Sequence, residues 1–174
     1  MTESASRPAP IINLADVPMV PHPRTPPDAL QDRYGGTFGR IGERIGARQL
    51  GYNVTSVPPG KRAFPFHSHR VNEEMFFVLD GTGELRLGTQ VFPLRAGDVV
   101  ACPAGDADTA HQITNTGTGE LRYLAVSTQV FPEICDYPDS GKFGTYLYPV
   151  GGDPREPFRF LSRASDGLDY WDGE

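Results

Sequence analysis

Residues 60–81 of the chain read GKRAFPFHSHRVNEEMFFVLDG. His67 and His69 are two residues apart, so both rings project from the same face of an extended strand. Glu74 follows five residues later, at the start of the apolar and aromatic run EMFFVL. This run predicts a strand that ends in a turn at Asp80-Gly81. The stretch therefore predicts two neighbouring strands that carry imidazole and carboxylate groups.

Strand-like segments continue on both sides of this stretch. Upstream, Leu50, Tyr52 and Val54 alternate with smaller or polar residues until Pro58-Pro59-Gly60 breaks the pattern. Downstream, ELRLG at 84–88 is predicted to be the hairpin partner of the strand before Gly81. The remaining short segments are VFPL at 91–94, GDVVACP at 97–103, AHQITN at 110–115, LRYLAVSTQVF at 121–131 and FGTYLYPV at 143–150. Because no long stretch of this region keeps helical periodicity, the pattern predicts an all-β sandwich or barrel.

Glycine-containing turns separate the predicted strands. Gly81, Gly97 and Gly105 are expected to adopt a positive φ, which glycine reaches without the steric penalty of other residues. These glycines therefore need no functional explanation.

Prolines are frequent in residues 1–33, at Pro8, Pro10, Pro18, Pro21, Pro23, Pro26 and Pro27. Such a segment cannot form a regular helix or a central strand, so we expect an extended arm that lies on the domain or on a partner subunit. The expected organisation is an arm at 1–45 that is able to exchange between dimer partners, a barrel core at 46–131, and an additional strand with a C-terminal tail at 132–174. The tail could carry a short helix and is expected to dock onto the barrel or a neighbour through Phe158, Phe160, Tyr170 and Trp171.

Composition and charge argue against several functions. The net charge is −6 and no Lys/Arg cluster is longer than a pair, so we expect no nucleic-acid partner. No stretch approaches the roughly 20 apolar residues that span a bilayer, and the N-terminus lacks a signal pattern; we expect no membrane partner and a cytoplasmic location. Cys102 and Cys135 lie far apart without a CxxC companion and are expected to be buried thiols.

Two stretches of the sequence resemble the two motifs of the cupin superfamily. Residues 60–81 resemble the first motif, in which a glycine precedes HxH, a glutamate follows, and a glycine comes six residues after the glutamate. Gly97-Asp-Val-Val-Ala-Cys-Pro103-Ala-Gly105, together with His111-Gln-Ile-Thr-Asn115, resembles the second motif. The resemblance covers about residues 50–128. It implies an all-β cupin double-stranded β-helix, a jelly-roll barrel, preceded by the extended proline-rich arm.

The chain departs from the usual cupin pattern at two places. Six residues separate Gly60 from His67, where five are usual, and this lengthens a loop. Five residues, Asp106 to Ala110, separate the second motif's PxG from His111, where two are usual. This insertion is expected to form a longer loop beside the site, with Asp106 and Asp108 as solvated turn acids.

The resemblance implies one divalent metal ion held by His67, His69, Glu74 and His111. Glu74 is preferred over Glu73 because it precedes Gly81 by the spacing of the motif, and successive strand residues face opposite ways. Three imidazoles and a carboxylate accommodate zinc, iron, manganese or nickel and leave a position open for substrate. The alternative is that the histidines are ordinary polar residues on a half-exposed sheet.

A metal site of this kind indicates a metalloenzyme that acts on a small polar metabolite, with isomerase-type or dioxygenase-type chemistry. Small cupins with a tail similar to YPDSGK at 137–142 are often described as sugar-phosphate isomerase-like. Candidate substrate-binding residues are Arg70, Tyr123 and Lys142, although segment 135–142 also has the residue types of a plain turn. The alternatives are a non-catalytic cupin that captures a small molecule through the metal, and a storage cupin. We expect a homodimer, as is common among cupins.

Overall fold

The computed structural model describes residues 8–22, 26–147 and 158–174. The described part of the chain is built mainly from short strands, with a single turn of α-helix, α1, at Gly42–Ile45. The strands are β1 Val20–Pro21, β2 Thr37–Arg40, β3 Leu50–Val57, β4 Ser68–His69, β5 Glu74–Asp80, β6 Thr82–Leu87, β7 Gln90–Arg95, β8 Val99–Cys102, β9 His111–Thr114, β10 Leu121–Thr128, β11 Glu133–Tyr137, β12 Lys142–Leu147 and β13 Phe158–Arg163. No helix in these ranges is long and apolar enough to span a bilayer.

The strands form a double-stranded β-helix. One sheet has the order β1-β2-β3-β10-β5-β8, and the other consists of β7-β6-β9 and β13-β12-β11-β4. A backbone bridge between His67 and His111 joins the two parts of the second sheet, with His111 N–H donating to His67 O over 2.7 Å. The predicted all-β barrel is therefore confirmed, and the histidine-bearing segments are hydrogen-bonded neighbours.

The predicted hairpin between residues 74–81 and 84–88 is wrong. β5 pairs with β10 and β8 in the first sheet, whereas β6 pairs with β7 and β9 in the second. The turn at Gly81 is a corner at which the chain crosses from one sheet to the other. A two-residue turn with glycine is compatible with either geometry, and the sequence alone does not separate them.

The two sheets enclose one apolar core. Buried side chains from the first sheet, such as Val78 and Leu121, meet side chains from the second sheet, such as Leu85 and Ile113. These residues alternate with exposed ones along their strands, as expected for sheets with one buried face. Burial of each large aliphatic side chain stabilises the fold by about 1.5–3 kcal/mol.

The described part of the N-terminal arm packs along the first sheet. Val17 is buried against Ile41 and Val54, and β1 pairs with β2 at the edge of the sheet. An edge position suits Pro21, which has no N–H to donate to a further strand. Two short 3-10 turns, Leu14–Asp16 and Asp28–Leu30, interrupt the extended chain. Pro23 and the residues that precede Pro8 lie outside the described residues.

Two of the three glycines expected to have a positive φ adopt it. The φ of Gly81 is +86° and that of Gly97 is +95°. The prediction is wrong for Gly105, whose φ is not positive. A Cβ at Gly105 would lie 2.6 Å from Thr109 Oγ1, so the absence of a side chain there allows the 106–110 loop to fold closely over it.

The C-terminal segment extends the second sheet through β11, β12 and β13. The tail carries one 3-10 turn, Ala164–Asp166, in place of the short helix that the sequence allowed. The aromatic side chains expected to dock the tail are largely exposed, at 50% for Phe158, 50% for Phe160, 85% for Tyr170 and 72% for Trp171. Within the described chain, these rings therefore do not dock onto the barrel.

Candidate metal centre

His67, His69, Glu74 and His111 converge at one end of the barrel. The segment ending in β4 supplies His67 and His69, β5 begins with Glu74, and β9 begins with His111. One donor atom from each of the four side chains lies within 4.8 Å of every other. Because Zn–N and Zn–O bonds are about 2.0–2.2 Å long, donors around one ion lie roughly 3–4.4 Å apart. The spacing of this cluster therefore approaches that of a mononuclear centre.

Two of the histidines are oriented by backbone carbonyl groups. The Nδ1–H of His67 donates to Pro65 O over 2.9 Å, and that of His111 faces Thr109 O at 3.4 Å. A carbonyl oxygen accepts only, so the proton is on Nδ1 and Nε2 remains available as a ligand. Both contacts span two residues, so the local chain conformation fixes these rings.

His69 is oriented by side chains instead. Its Nδ1 lies 3.3 Å from Cys135 Sγ and 3.5 Å from Glu133 Oε2. Its Nε2 is buried and makes no hydrogen bond within the described residues; Glu74 Oε2 lies 3.5 Å away. A buried polar atom without a partner is uncommon in proteins, and a metal ion would satisfy this one.

The charges of the cluster favour a cation. Glu74 Oε2 lies 2.9 Å from His111 Nε2, a distance at which the two atoms share a proton unless one cation binds both of them. Burial opposes ionisation of Glu74, but the hydrogen bond with His111 and the charge of His69 outweigh it and hold the pKa of Glu74 well below its ordinary value. Burial and the charge of His111 lower the pKa of His67 to about 4. The imidazole of His67 is therefore uncharged at pH 7, which is the form that binds a metal ion.

The pKa of His69 shifts in the opposite direction. Burial alone would lower it, but the hydrogen bonds with Cys135 and Glu133 and the charge of Glu74 raise the pKa of His69 to about 12. Without a metal, His69 therefore carries two ring protons at neutral pH. A metal ion at Nε2 would replace one of them.

The donor set fits a divalent transition metal. Three imidazoles and one carboxylate are the ligands that zinc, iron, manganese and nickel share, and four protein donors leave room for water or substrate. The two acids that could have competed lie elsewhere: Glu73 is exposed, and Asp106 accepts a hydrogen bond from Asp108 N within the inserted loop. Of Glu73, Glu74 and Asp106, only Glu74 belongs to the group of converging donors.

Two residues next to the centre were not predicted to lie there: Cys135 was expected only to be a buried thiol, and no role was predicted for Glu133. Glu133 and Cys135 are buried on β11, and Cys135 pairs with His69 across the strands. Both face the Nδ1 side of His69, away from Glu74. The spacing ExC at 133–135 places both side chains on one face of a strand, as HxH does, and this is the signal that could have identified them.

The three candidate substrate-binding residues lie in different environments. Arg70 makes a bidentate ion pair with Asp136, at 2.6 and 3.1 Å, with its side chain half-exposed. Tyr123 is fully buried in the core against Phe76, and burial raises its pKa. Lys142 is half-buried, with Nζ 5.1 Å from the centre of the Tyr137 ring. Of the three, Lys142 is the one that contacts a ring, that of Tyr137, which itself lies against a candidate ligand, His67.

Tyr137 connects Lys142 to the candidate ligands. Its ring is nearly parallel to that of His67, with the two centres 6.0 Å apart and the planes at 18°. Its hydroxyl group lies 3.0 Å from that of Tyr146. The 137–142 segment contains a 3-10 turn at Pro138–Ser140, and it also places the Tyr137 ring beside His67 and the Lys142 cation beside Tyr137.

Comparisons with known proteins agree with this architecture. A family model described as a cupin domain matches residues 53–127. The oxalate-binding protein of Thermotoga maritima is 34% identical over 70 residues, which are 40% of this chain and 54% of that protein. The matches span about half the length of the Thermotoga protein and of one other curated relative, and a quarter of the length of the rice protein cupincin.

Solved structures have the same fold. A candidate sugar phosphate isomerase from Acidithiobacillus ferrooxidans is 27% identical with a TM-score of 0.65, covering 78% of this chain and 80% of its own. A cupin-superfamily protein from Silicibacter pomeroyi, described as a sugar phosphate isomerase, has a TM-score of 0.74 at 22% identity and covers 94% of this chain and 98% of its own; at this identity the likeness concerns the fold. The two motifs, the double-stranded β-helix and the family-model match together identify residues 53–127 as a cupin domain.

Proposed function

We propose that this cupin binds one divalent metal ion through His67, His69, Glu74 and His111 and is a metalloenzyme that acts on a small polar metabolite. Two observations support this most directly: donor atoms from four side chains converge, and one of these side chains, His69, has a buried Nε2 without a hydrogen-bond partner within the described residues. The outer hydrogen bonds of His67 and His111 support the same proposal, because they direct both Nε2 atoms into the cluster.

A bound divalent ion would supply Lewis-acid polarisation of a substrate carbonyl or, as ferrous iron, oxygen chemistry. The residues of the chain would hold and orient the reacting group. His67 is half-buried and lies on the side of the cluster that faces Tyr137. We infer that the substrate approaches past His67 and Tyr137, with the Lys142 cation against the Tyr137 ring.

The environment of this approach favours an anionic substrate and hence isomerase-type over dioxygenase-type chemistry. Lys142 lies over the Tyr137 ring, and the hydroxyl groups of Tyr137 and Tyr146 offer hydrogen bonds to an oxygen-rich molecule. Arg70 is engaged by Asp136 and would bind the substrate only if this pair opened. The names of the relatives, sugar phosphate isomerase and oxalate-binding protein, both refer to anionic small molecules.

The alternative is a non-catalytic cupin that captures a small anion through the metal. The match to a protein named for oxalate binding is the observation that favours it. A substrate screen with metal-loaded protein separates the two functions. Turnover of a sugar phosphate or another small metabolite supports the enzyme, whereas saturable binding without turnover across the screen supports the binding protein.

Elemental analysis of protein purified without an affinity tag or a chelator tests the proposed site. Near-stoichiometric zinc, manganese or nickel would support isomerase-type or binding roles, and near-stoichiometric iron would direct the screen to dioxygenase substrates. Protein that contains no metal, and that takes up none on reconstitution, would overturn the proposal.

Metal affinity is expected to rise with pH. The pKa of His69 is raised to about 12, so the metal-free protein carries a proton that the ion must displace. Release of one proton gives a tenfold stronger affinity per pH unit at every pH below this raised pKa, which includes the neutral range. We expect the logarithm of Kd for Zn²⁺ to fall by at least one per unit between about pH 6.5 and 8. Competition with a chromophoric chelator measures it, and a flat profile would contradict a protonated His69.

We also propose that the chain forms a homodimer in which a second copy covers β13. This strand lies at the edge of its sheet among the described strands, and Phe158, Phe160 and Leu161 are 50%, 50% and 38% exposed. An exposed apolar edge strand is prone to aggregation unless another element covers it. Light scattering at micromolar concentration should give the mass of a dimer, and Phe160→Asp should shift it toward the monomer. A wild-type monomer would overturn this proposal.

A further inference from the structure

Glu133 is a buried carboxylate held in place by an unusual number of hydrogen-bond donors. It is the first residue of β11 and 4% exposed. Its Oε1 accepts from the N–H groups of Arg70, Val71 and Ile134, over 2.8–3.2 Å. Its Oε2 accepts from both the backbone N–H, at 2.9 Å, and the side-chain amide of Asn72. The carboxylate therefore cannot rotate without breaking several bonds.

Apart from the N–H of Ile134, these donors belong to the turn that connects two of the candidate ligands. Residues 70–72 lie between His69 and Glu74, which come from different sheets. Glu133 binds every backbone N–H of this turn, and thereby fixes the distance and direction from one ligand to the other. The same carboxylate presents Oε2 to His69 Nδ1 at 3.5 Å.

His69 differs from the other two histidines in the groups that face its Nδ1 atom. The Nδ1 atoms of His67 and His111 face neutral backbone carbonyl groups, whereas that of His69 faces a carboxylate and a thiol. A carboxylate is a stronger acceptor than a thiol sulfur or a neutral carbonyl. An imidazole that donates to a carboxylate becomes a better electron donor at its other nitrogen, and its ring orientation is fixed.

We propose that Glu133 is a positioning residue that orients His69 and strengthens it as a metal ligand. This inference rests on the metal site proposed above. Glu133 acts through His69 and the 70–72 turn and does not touch the ion itself. Its negative charge is permanent in the working range, because hydrogen bonds with His69 and Asn72 outweigh the effect of burial and lower the pKa of Glu133 to about 2.

The same three side chains could instead hold a second metal ion. Atoms of His69, Glu133 and Cys135 lie within 4.8 Å of one another. Both carboxylate oxygens of Glu133, however, already accept hydrogen bonds from buried donors, and a second ion would leave several of these N–H groups unsatisfied. The positioning role keeps all of these bonds.

The test compares Glu133→Gln with a matched control, Thr128→Ala, by Zn²⁺ affinity and the visible spectrum of the Co²⁺ form. The Thr128 hydroxyl group belongs to the same turn network, since it accepts from Glu73 N–H and donates to Asn72 Oδ1, but it contacts neither Glu133 nor His69 through these bonds. We expect Glu133→Gln to weaken Zn²⁺ binding about 10–100-fold and to shift the Co²⁺ bands, whereas Thr128→Ala changes affinity less than about threefold with unshifted bands.

Three outcomes would overturn the inference while the metal site stands: wild-type affinity and spectrum in Glu133→Gln, equal losses in both variants with no spectral change, or a loss in Cys135→Ala that Glu133→Gln does not show. Failure of the wild-type protein to bind Zn²⁺ would overturn the site and the inference together. If Glu133→Gln does not fold, nitrogen-15 NMR of the Zn²⁺-loaded wild type tests whether His69 donates to Glu133. The Nδ1–H proton of His69 should be farther downfield than those of His67 and His111, and a smaller shift would overturn the inference.

Discussion

Replacement of both His67 and His111 by alanine is expected to abolish stoichiometric metal binding. The two residues supply half of the four donors and come from segments that are hydrogen-bonded to each other through the His67–His111 bridge. The double variant would leave His69 and Glu74, which is too few ligands to hold a divalent ion against water. Since loss of a single outer partner costs about 10–100-fold in affinity, we expect loss of two direct ligands to exceed about 1000-fold.

Elemental analysis and Zn²⁺ titration of the wild type and the double variant measure this effect. His22→Ala is the matched control, because His22 is the fourth histidine of the chain and lies outside the donor cluster, against Phe38 and Phe64. His111 is buried beside Phe76, so circular dichroism must show that the double variant is folded, and the single His67→Ala variant serves if it is not. Metal retained at full stoichiometry in the folded double variant would place the ion elsewhere in the protein.

The strands and the four converging residues are the part of the structure that the sequence predicts well. The apolar run of β5 reflects burial of one face, with Phe76 and Val78 in the core. The period-two residues Tyr52 and Val54 of β3 mark the face that packs against Val17 and Ile41. Both patterns are local properties of the chain. The spacings of His67, His69 and Glu74 are likewise local, since all three lie within one stretch. The link to His111 came from motif spacing, and the inserted residues 106–110 did not displace it from the cluster.

The way in which the chain crosses between the two sheets could not be predicted from the sequence, because it depends on strands that are distant along the chain. β5 and β6 are consecutive and joined by a tight turn, yet each finds its neighbours elsewhere, β10 for the first and β9 for the second. Hydrogen bonding with these strands buries both inner faces of the barrel. A hairpin of β5 with β6 would leave the two strands in one sheet and the core open.

The side chains that surround His69 could not be predicted from the sequence for the same reason. Glu133 lies 64 positions after His69, and only the pairing of β11 with β4 brings it to the turn at residues 70–72. Arg70 is a comparable case, because its ion pair with Asp136 depends on the same pairing. Sequence spacing identifies ligands that share a motif, whereas the groups that orient them come from strands added later in the chain.

Gly81→Ala is expected to destabilise the fold severely, since Gly81 forms the corner between β5 and β6. Its φ of +86° costs a residue with a Cβ about 1–2 kcal/mol. A Cβ there would also lie 2.4 Å from Glu120 O and 2.9 Å from Leu121 Cα. These are backbone atoms at the start of β10, and Leu121 is fully buried, so the contact cannot be relieved by a side-chain rotation. We expect a loss of about 3–5 kcal/mol in the free energy of unfolding.

Gly97→Ala is the matched control, because it separates backbone strain from close packing. Gly97 has a similar φ, +95°, but a Cβ would have no atom within 4 Å. Its replacement should therefore lower the free energy of unfolding only by the strain of a positive φ, about 1–2 kcal/mol. Urea denaturation of metal-free protein measures both variants without the added stability of a bound ion. Equal losses at the two positions would mean that the corner tolerates a side chain, and that the close approach of Gly81 to β10 does not set the crossing between the sheets.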